Sequence, residues 1–347
     1  MRNRFYLAKR ILQDHFRESI QPYKLTFAST DRCNSRCRTC ATWRHQTRDE
    51  LNCAEIENFF SINNRFLWLD FTGGEYFLRE DALEIVRMAL FHCRHCCHFH
   101  VPTNAVDPQR TLNGVRKIID CNPELFTLTI SLDGPPSVHD RLRGIPGNWN
   151  AAMALYRELE GLQSNKFRIF FGFTLSPWNL GSFSATVTAV QQQFPKVRLK
   201  NFHMNLYHRS EHYYRTEGHA PPFPGGNVAI IAEMEQFRKD VRWRLDPISI
   251  LENRYLLRIK NYLETRQSPL PCQALAASLF LAADGTVYPC TMWNQPLGNL
   301  RRDGFSIPEL LESSREIRAA VRRKECPGCW TPCEAYPSIL ACFFNKG

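Results

Sequence analysis

The sequence predicts an α/β fold that ends in a small cysteine-rich domain, and three observations carry that expectation. Strand-like and helix-like segments alternate from residue 24 to about residue 205. The first five strand candidates each end in polar or glycine-containing residues. After Pro269 and Pro271 the composition shifts to a cysteine-rich tail. Strands that alternate with helices are parallel and joined by crossovers. In parallel barrels the active site forms at the carboxyl ends of the strands.

The elements follow in order. KLTFAST (24–30) is the first strand and runs into a cysteine group. FLWLDFTGGE (66–75) is the second, ending in a Gly-Gly turn. Asp81 to Leu90 reads as a helix, with Leu83, Val86 and Leu90 on one face. HFHVPTNA (98–105) and ELFTLTISLDG (124–134) are the third and fourth strands. Asn150 to Leu162 is helical, FRIFFGFTLS (167–176) is the fifth strand, and VRLKNFHMNL (197–206) is the sixth. Residues 208–227 then break the rhythm with a segment rich in His, Tyr, Pro and Gly. Long loops of this kind are more often functional than filler, so this one is expected to contact substrate. A helical region runs from about Val228 to Thr265, and a domain boundary is expected near 265.

The bulk numbers fit a soluble globular chain. Its 347 residues allow a large domain and a smaller one, with 44% hydrophobic and 22% charged residues. No stretch approaches the roughly 20 apolar residues of a membrane span. The segment MRNRFYLAKRILQDHF lacks the apolar core and cleavage site of a secretory signal, so a cytoplasmic location is expected. It reads instead as a basic amphipathic helix with Phe5, Ile11, Leu12 and Phe16 available for one face. The net charge of +10 is scattered, and its longest basic run is Arg322–Arg323–Lys324. That is too short for a nucleic-acid tail, and a solvated face explains it as well.

Fourteen cysteines are many for such a chain. In a reducing compartment, clustered cysteines more often bind metal or do chemistry than pair. Cys33, Cys37 and Cys40 have the spacing C-x3-C-x2-C directly after the first strand. Three thiolates without an adjacent fourth leave an open coordination position, as a catalytic metal site requires. The reading from spacing alone leaves a zinc site open.

This motif resembles the cluster loop of the radical S-adenosylmethionine (radical SAM) superfamily. The resemblance covers roughly residues 24–205 and then the tail. It implies a partial (β/α)6 TIM-type barrel and a 4Fe–4S cluster held by Cys33, Cys37 and Cys40. That cluster would cleave S-adenosylmethionine to a 5′-deoxyadenosyl radical. Gly73-Gly74-Glu75 resembles the family's GGE motif, in which the backbone and the acid meet the methionine amino group. Ser131 and Asp133 lie where the family binds ribose hydroxyls and methionine, and Arg143 in HDRLRG could pair with the methionine carboxylate. Asn104, Thr174 and Ser176 stand at the third and fifth strand ends, where turn capping would equally explain them. The sequence departs from the family at Thr39, which replaces an aromatic residue before the third cysteine, while Trp43 is close but out of place.

The tail reads Cys272, Gly285-x4-Cys290, Cys326-x2-Cys329, Cys333 and Cys342. It resembles the SPASM or shorter twitch extension of some radical SAM enzymes, which carries auxiliary clusters. With six cysteines it cannot supply the eight thiolates of two full clusters. One auxiliary 4Fe–4S cluster is expected, held by four of Cys272, Cys290, Cys326, Cys329 and Cys333. A structural zinc ribbon is the alternative for the C-x2-C. The middle group, His92 to His98, runs from a helix end into a strand, so its cysteines are expected to be buried apolar thiols.

The division expected is an N-terminal helix (1–23), a radical SAM core with a helical extension (24–265) and an auxiliary-cluster domain (266–347). The function expected is a radical SAM oxidoreductase acting on a peptide or protein side chain, with a reductant such as flavodoxin or ferredoxin. The same chemistry on a sugar or nucleoside is the alternative. A non-catalytic iron–sulfur or zinc protein is the rival from another class, and it leaves the Gly-Gly-Glu and Ser-Leu-Asp strand ends unexplained.

Overall fold

Six strands follow one another in chain order: β1 (Lys24–Thr30), β2 (Trp68–Gly73), β3 (His98–Thr103), β4 (Phe126–Ser131), β5 (Phe167–Leu175) and β6 (Phe202–Leu206). Each pairs in parallel with the next. The computed structural model describes residues 2–16, 21–44, 49–216, 221–241 and 246–342. Helix α1 (Arg2–Phe16) precedes the first strand. Helices α2 (Cys53–Ile62), α3 (Ala82–His92), α4 (Pro108–Asp120), α5 (Pro136–Arg143), α6 (Asn148–Leu159) and α7 (Phe183–Gln193) fill the crossovers. Then come α8 (Gly226–Asp240), α9 (Pro247–Leu257) and α10 (Ile259–Thr265). The C-terminal part contains β7 (Ser278–Leu281), β8 (Thr286–Tyr288), β9 (Gly298–Asn299), α11 (Leu300–Asp303), α12 (Ile307–Ser313), α13 (Arg315–Arg322) and α14 (Pro332–Ala341).

The C-terminal strands continue the same sheet. Its order is β6-β5-β4-β3-β2-β1-β7-β8-β9, and β7 lies parallel to β1 with Lys24 opposite Ser278. The hairpin β7–β8 turns at Ala283-Asp284-Gly285, where Gly285 has φ +84°.

Alternation along the strands separates two faces. Leu25, Phe27, Leu69, Phe71, Phe99, Leu128, Phe171 and Phe173 are fully buried beneath the helices. The opposite face carries Thr26, Asp70, Thr72, His100, Thr129, His203 and Asn205. Register aligns these residues across the sheet, with Thr26 opposite Asp70, Asp70 opposite His100 and Gly172 opposite His203. Parallel strands are usually apolar on both faces. Here the inner face carries these polar groups beside the rings of Trp68 and Phe170, so it is not uniformly apolar.

One inner network ties the C-terminal part to the barrel. Lys24, fully buried, lies 2.9 Å from Asp70 Oδ2 and donates to the Cys333 carbonyl at 2.9 Å. Trp68 Nε1 donates to Asp70 Oδ1 at 2.7 Å. Burial favours the neutral forms of both charges, yet each holds the other ionised.

Some boundaries differ from expectation. The sixth strand begins at Phe202, because Leu199–Asn201 forms a 3-10 turn. There the Asn201 side chain accepts from the Arg198 backbone N–H at 2.9 Å, and local bonds of this kind compete with a ladder. Phe5 is 70% exposed; Tyr6, Leu7 and Ile11 pack instead against Tyr23, Leu67 and Ala277. The side chains of Leu12 and Phe16 lie outside the described residues. No helix of the described residues is long and apolar enough to cross a membrane.

Glu252 of α9 is buried beneath β6, where it accepts from Met204 N at 3.3 Å and from the Tyr336 hydroxyl. Burial pushes its carboxyl up to about 7, against the pull of those bonds. An unfolded Glu titrates near about 4.3. Between these values the native state keeps a proton that the unfolded state releases, so stability falls as pH rises. Glu252→Gln is expected to flatten that fall, as measured by chemical denaturation at a series of pH values. An unchanged slope would place the dependence on other groups.

Candidate active site and cysteine centres

The loop that follows β1 carries Cys33, Cys37 and Cys40, all half-buried. Four surrounding elements hold it. Gly74 N donates to Thr30 O at 2.7 Å and Glu75 N to Arg32 O at 2.8 Å. Arg36 N and Arg38 N donate to the carbonyls of Arg143 and Leu142, each at 2.9 Å. Ala41 N donates to Tyr214 O at 2.8 Å. Glu50 receives both the Thr30 hydroxyl at 2.7 Å and Asp31 N at 2.9 Å.

The glycines of the second strand end make this approach possible. A Cβ on Gly73, where φ is +139°, would stand 2.1 Å from Thr30 O; one on Gly74 would stand 2.2 Å from Arg32 O. Backbone meets backbone here with no room for a side chain.

Glu75 is buried, and its carboxylate accepts from Asn104 N at 2.7 Å and from the Thr103 hydroxyl at 3.0 Å. Burial raises its pKa to about 7, and these bonds oppose the rise. The expected partner was an ammonium; within the chain itself Glu75 braces the ends of β2 and β3. Asn104 Nδ2 donates to Asn34 Oδ1 at 2.8 Å and lies 3.8 Å from Cys33 Sγ.

At the fourth strand end, Asp133 forms an ion pair with Arg143 at 2.8 Å and accepts from Thr174 N at 2.9 Å. Arg143 also points Nη1 at Cys37 Sγ, 3.7 Å away, and its Nε is buried without a partner. Asp133 and Arg143 therefore hold one another and present a cation to the cysteine loop. Ser131 sits half-buried on the inner face, opposite Gly172. Ser176 caps its own turn, with both N and Oγ donating to Asn179 Oδ1. Trp43 Nε1 and Ser35 Oγ are further buried polar atoms without partners beside this loop.

Residues that the sequence reading missed complete the surround. His139 accepts from Asp133 N at 3.1 Å, and burial lowers its pKa to about 3, so it is a neutral acceptor. Arg79 donates to Ser29 O at 2.6 Å and Leu51 O at 2.8 Å while gripping Asp81. Residues 208–216 form a strap between the two cysteine regions. Tyr213 OH lies 2.8 Å from Thr72 Oγ1, Tyr213 O accepts from the Thr42 hydroxyl, and His212 Nε2 lies 2.9 Å from Cys290 O. Residues 217–220 of the loop lie outside the described residues.

In the tail, Cys272, Cys290, Cys326 and Cys329 are close enough for their charges to be felt by one another. Burial dominates the upward shifts of Cys272, Cys290 and Cys329, and neighbours within this set add to each. Cys333 lies beside Lys24 and Asp70 and shares the neighbour Glu334 with Cys272, Cys290 and Cys329. Cys93, Cys96 and Cys97 are core thiols, as expected, with Cys96 Sγ and Cys97 Sγ near the carbonyls of His98 and Leu67. Among the described residues, no three or more His, Cys, Asp or Glu side chains converge on a single ion.

Residues 272–333 match the model of the SPASM domain, an iron–sulfur cluster-binding domain. The match begins at Cys272 and ends at Cys333. SuiB of Streptococcus suis bound to S-adenosylmethionine has a similar structure, with a TM-score of 0.54 at 14% identity. That match covers 83% of this chain and 64% of SuiB, so the chain spans under two thirds of SuiB's length. Native anSMEcpe with bound AdoMet gives a TM-score of 0.60 at 13% identity, covering 93% of this chain and 97% of that one. At these identities the likeness is one of fold. No curated protein sequence matches the chain. The chain has the fold of these S-adenosylmethionine-bound proteins and a C-terminal segment that matches the SPASM domain.

The resemblance implies S-adenosylmethionine and iron–sulfur clusters as cofactors, and the residues present fit them. The chain offers three thiols on a loop packed against a glycine floor, an arginine beside them, and the unpartnered Arg143 Nε, Ser35 Oγ and Trp43 Nε1 nearby. Burial pushes the Cys33 thiol up to about 12, so a metal bound there would have to displace its proton.

Proposed function

We propose that the enzyme reductively cleaves S-adenosylmethionine and abstracts hydrogen from a peptide or protein side chain, ending in a net oxidation. The observation that carries this reading is the placement of Cys33, Cys37 and Cys40 at the mouth of a barrel whose inner face carries polar groups. When bound, the cluster supplies the electron that breaks the sulfonium and yields a 5′-deoxyadenosyl radical.

The chain's own residues bind and orient. Cys33, Cys37 and Cys40 would hold a 4Fe–4S cluster through three thiolates, which would leave a place for the cofactor. Gly73 and Gly74 keep the floor flat enough for the methionine amino group to approach the backbone, while Glu75 supplies a buried acceptor for it. Arg143, held by Asp133, offers its unpartnered Nε to the methionine carboxylate. Ser131, Asn104 and Thr174 line the strand ends where ribose would lie. The inner face, with the polar groups of His100, Thr129 and Asn205, receives the reacting side chain. Cys272, Cys290, Cys326 and Cys329 would hold one auxiliary 4Fe–4S cluster, which would supply an acceptor for the substrate's electron, and Cys333 would serve the fold.

Peptides are favoured as substrates because the similar structures include SuiB bound to the precursor peptide SuiA and anSMEcpe bound to a Kp18Cys peptide. A reductant of the flavodoxin or ferredoxin kind, a cytoplasmic setting, and the division at 1–23, 24–265 and 266–347 complete the proposal. Pools of short peptides, sugars and nucleosides, each supplied to the reduced enzyme, test the substrate class. Peptides alone are expected to raise 5′-deoxyadenosine yield. A rise with sugars or nucleosides and none with peptides would move the reading to small molecules.

A further inference from the structure

A concave pocket of about 600 Å³ opens between α1, the turn before β2 and the end of α3. Lys9, Arg10, Arg65 and Arg94 line it, and among the described residues no carboxylate does. Cations gathered so closely repel one another. The fold braces them all the same: the Gln21 carbonyl accepts from Arg10 at 2.5 Å, and the Gln21 side chain accepts from Arg65 at 3.0 Å. One residue thus fixes two guanidinium groups side by side. A concavity lined by one sign of charge gathers ions of the other. Guanidinium forks match phosphate oxygens two at a time.

The same walls carry rings. Tyr6 stacks on His95 with centroids 4.2 Å apart. Phe91 is 64% exposed, with the Arg94 guanidinium 5.5 Å from its ring centroid. His92 also lines the pocket, and its Nε2 is buried with no partner. Ring and guanidinium faces stack nucleobases with little regard to their identity. The volume falls within the range of small-molecule sites, about 300–1,000 Å³.

We infer that this pocket binds a nucleoside phosphate, with the arginines on the phosphates and the rings against the base. Leu67 lines the pocket and precedes β2, whose Gly73 stands at the other end of the strand, about 20 Å away. The site is therefore separate from the one that takes S-adenosylmethionine, and it does not depend on the reaction proposed above. It also accounts for the stretch His92–His98, whose cysteines enter the core while His92, Arg94 and His95 face the pocket.

Calorimetric titration of the anaerobically reconstituted holoenzyme tests this, with ADP, tripolyphosphate, adenosine and an octaglutamate peptide as separate probes. ADP is expected to bind more tightly than tripolyphosphate or adenosine. Arg65→Glu combined with Arg94→Glu is expected to weaken ADP by about tenfold or more while 5′-deoxyadenosine formation persists. Phe91→Ala removes an exposed ring without touching the core, and it is expected to weaken ADP but not tripolyphosphate. The variant with Cys33, Cys37 and Cys40 changed to alanine is expected to bind ADP normally. Unchanged ADP affinity in the charge-reversed variant would overturn the inference. So would loss of ADP binding in the cysteine variant, which would place the nucleotide in the cofactor site. Octaglutamate binding as tightly as ADP would reassign the pocket to an acidic peptide, and equal affinity for tripolyphosphate would remove the nucleoside from it.

Discussion

Gly74→Val is expected to abolish 5′-deoxyadenosine formation and to empty the first cysteine centre while leaving the rest of the fold in place. The reason is geometric. Even a Cβ at this position would lie 2.2 Å from Arg32 O and 2.8 Å from Asp31 O, both backbone atoms that cannot rotate away. The loop carrying Cys33 must then separate from the second strand end, and it loses the bonds from Gly74 N to Thr30 O and from Glu75 N to Arg32 O. The atoms that a Cβ on Gly74 would meet belong to Asp31 and Arg32, not to the tail cysteines. Iron analysis after anaerobic reconstitution should therefore find about half of the wild-type content, since each cluster holds four irons. Full iron loading with normal product would show that the glycine floor does not shape the centre.

The second large effect concerns stability. Asp70→Ala leaves Lys24 fully buried without its carboxylate partner and removes the acceptor for Trp68 Nε1. Breaking one side of a buried pair costs about 3–5 kcal/mol. The loss should appear as a lower midpoint in denaturant with an unchanged slope. Replacing both partners, Lys24→Met with Asp70→Leu, should recover much of it, because no charge is then stranded. The pH dependence has a definite sign. Burial alone would raise the Asp70 pKa, but the Lys24 charge and the His100 hydrogen bond outweigh it and hold it well below the usual carboxylate range. Its stabilisation is thus present above the unfolded value of about 3.9 and is lost as pH falls below that toward the folded value. A wild type that keeps full stability while Asp70→Ala costs nothing would contradict the network.

Much of the fold was legible because parallel strands and crossover helices leave period and punctuation in the chain. KLTFAST and FRIFFGFTLS end where polar residues begin, and β1 and β5 lie there. Asn201 shows why VRLKNFHMNL overran, since its side chain closes a turn on Arg198 that hydrophobic pattern does not reveal. The three cysteines of the first centre were legible because they lie within eight residues of one another. Their supports were not. Glu50, Arg79 and Tyr213 reach the site from distant segments, and no local pattern marks a residue that acts by long-range hydrogen bonds. Nothing local marks Lys24 at the strand start as buried; the pairing of β1 between β2 and β7 buries it. The tail allowed any four of five cysteines, and the placement of Cys333 beside Lys24 and Asp70 is visible only in the folded arrangement.

The central claim is that Cys33, Cys37 and Cys40 hold a reducing cluster that cleaves S-adenosylmethionine. Its most direct test is anaerobic reconstitution with iron and sulfide, reduction with dithionite, and assay of 5′-deoxyadenosine after addition of S-adenosylmethionine. The wild type should form it. The variant with Cys33, Cys37 and Cys40 changed to alanine should form none and retain about four irons in the tail. A fully iron-loaded wild type that formed no 5′-deoxyadenosine, even with cell extract present as a source of substrates, would contradict the account and leave an electron carrier in its place.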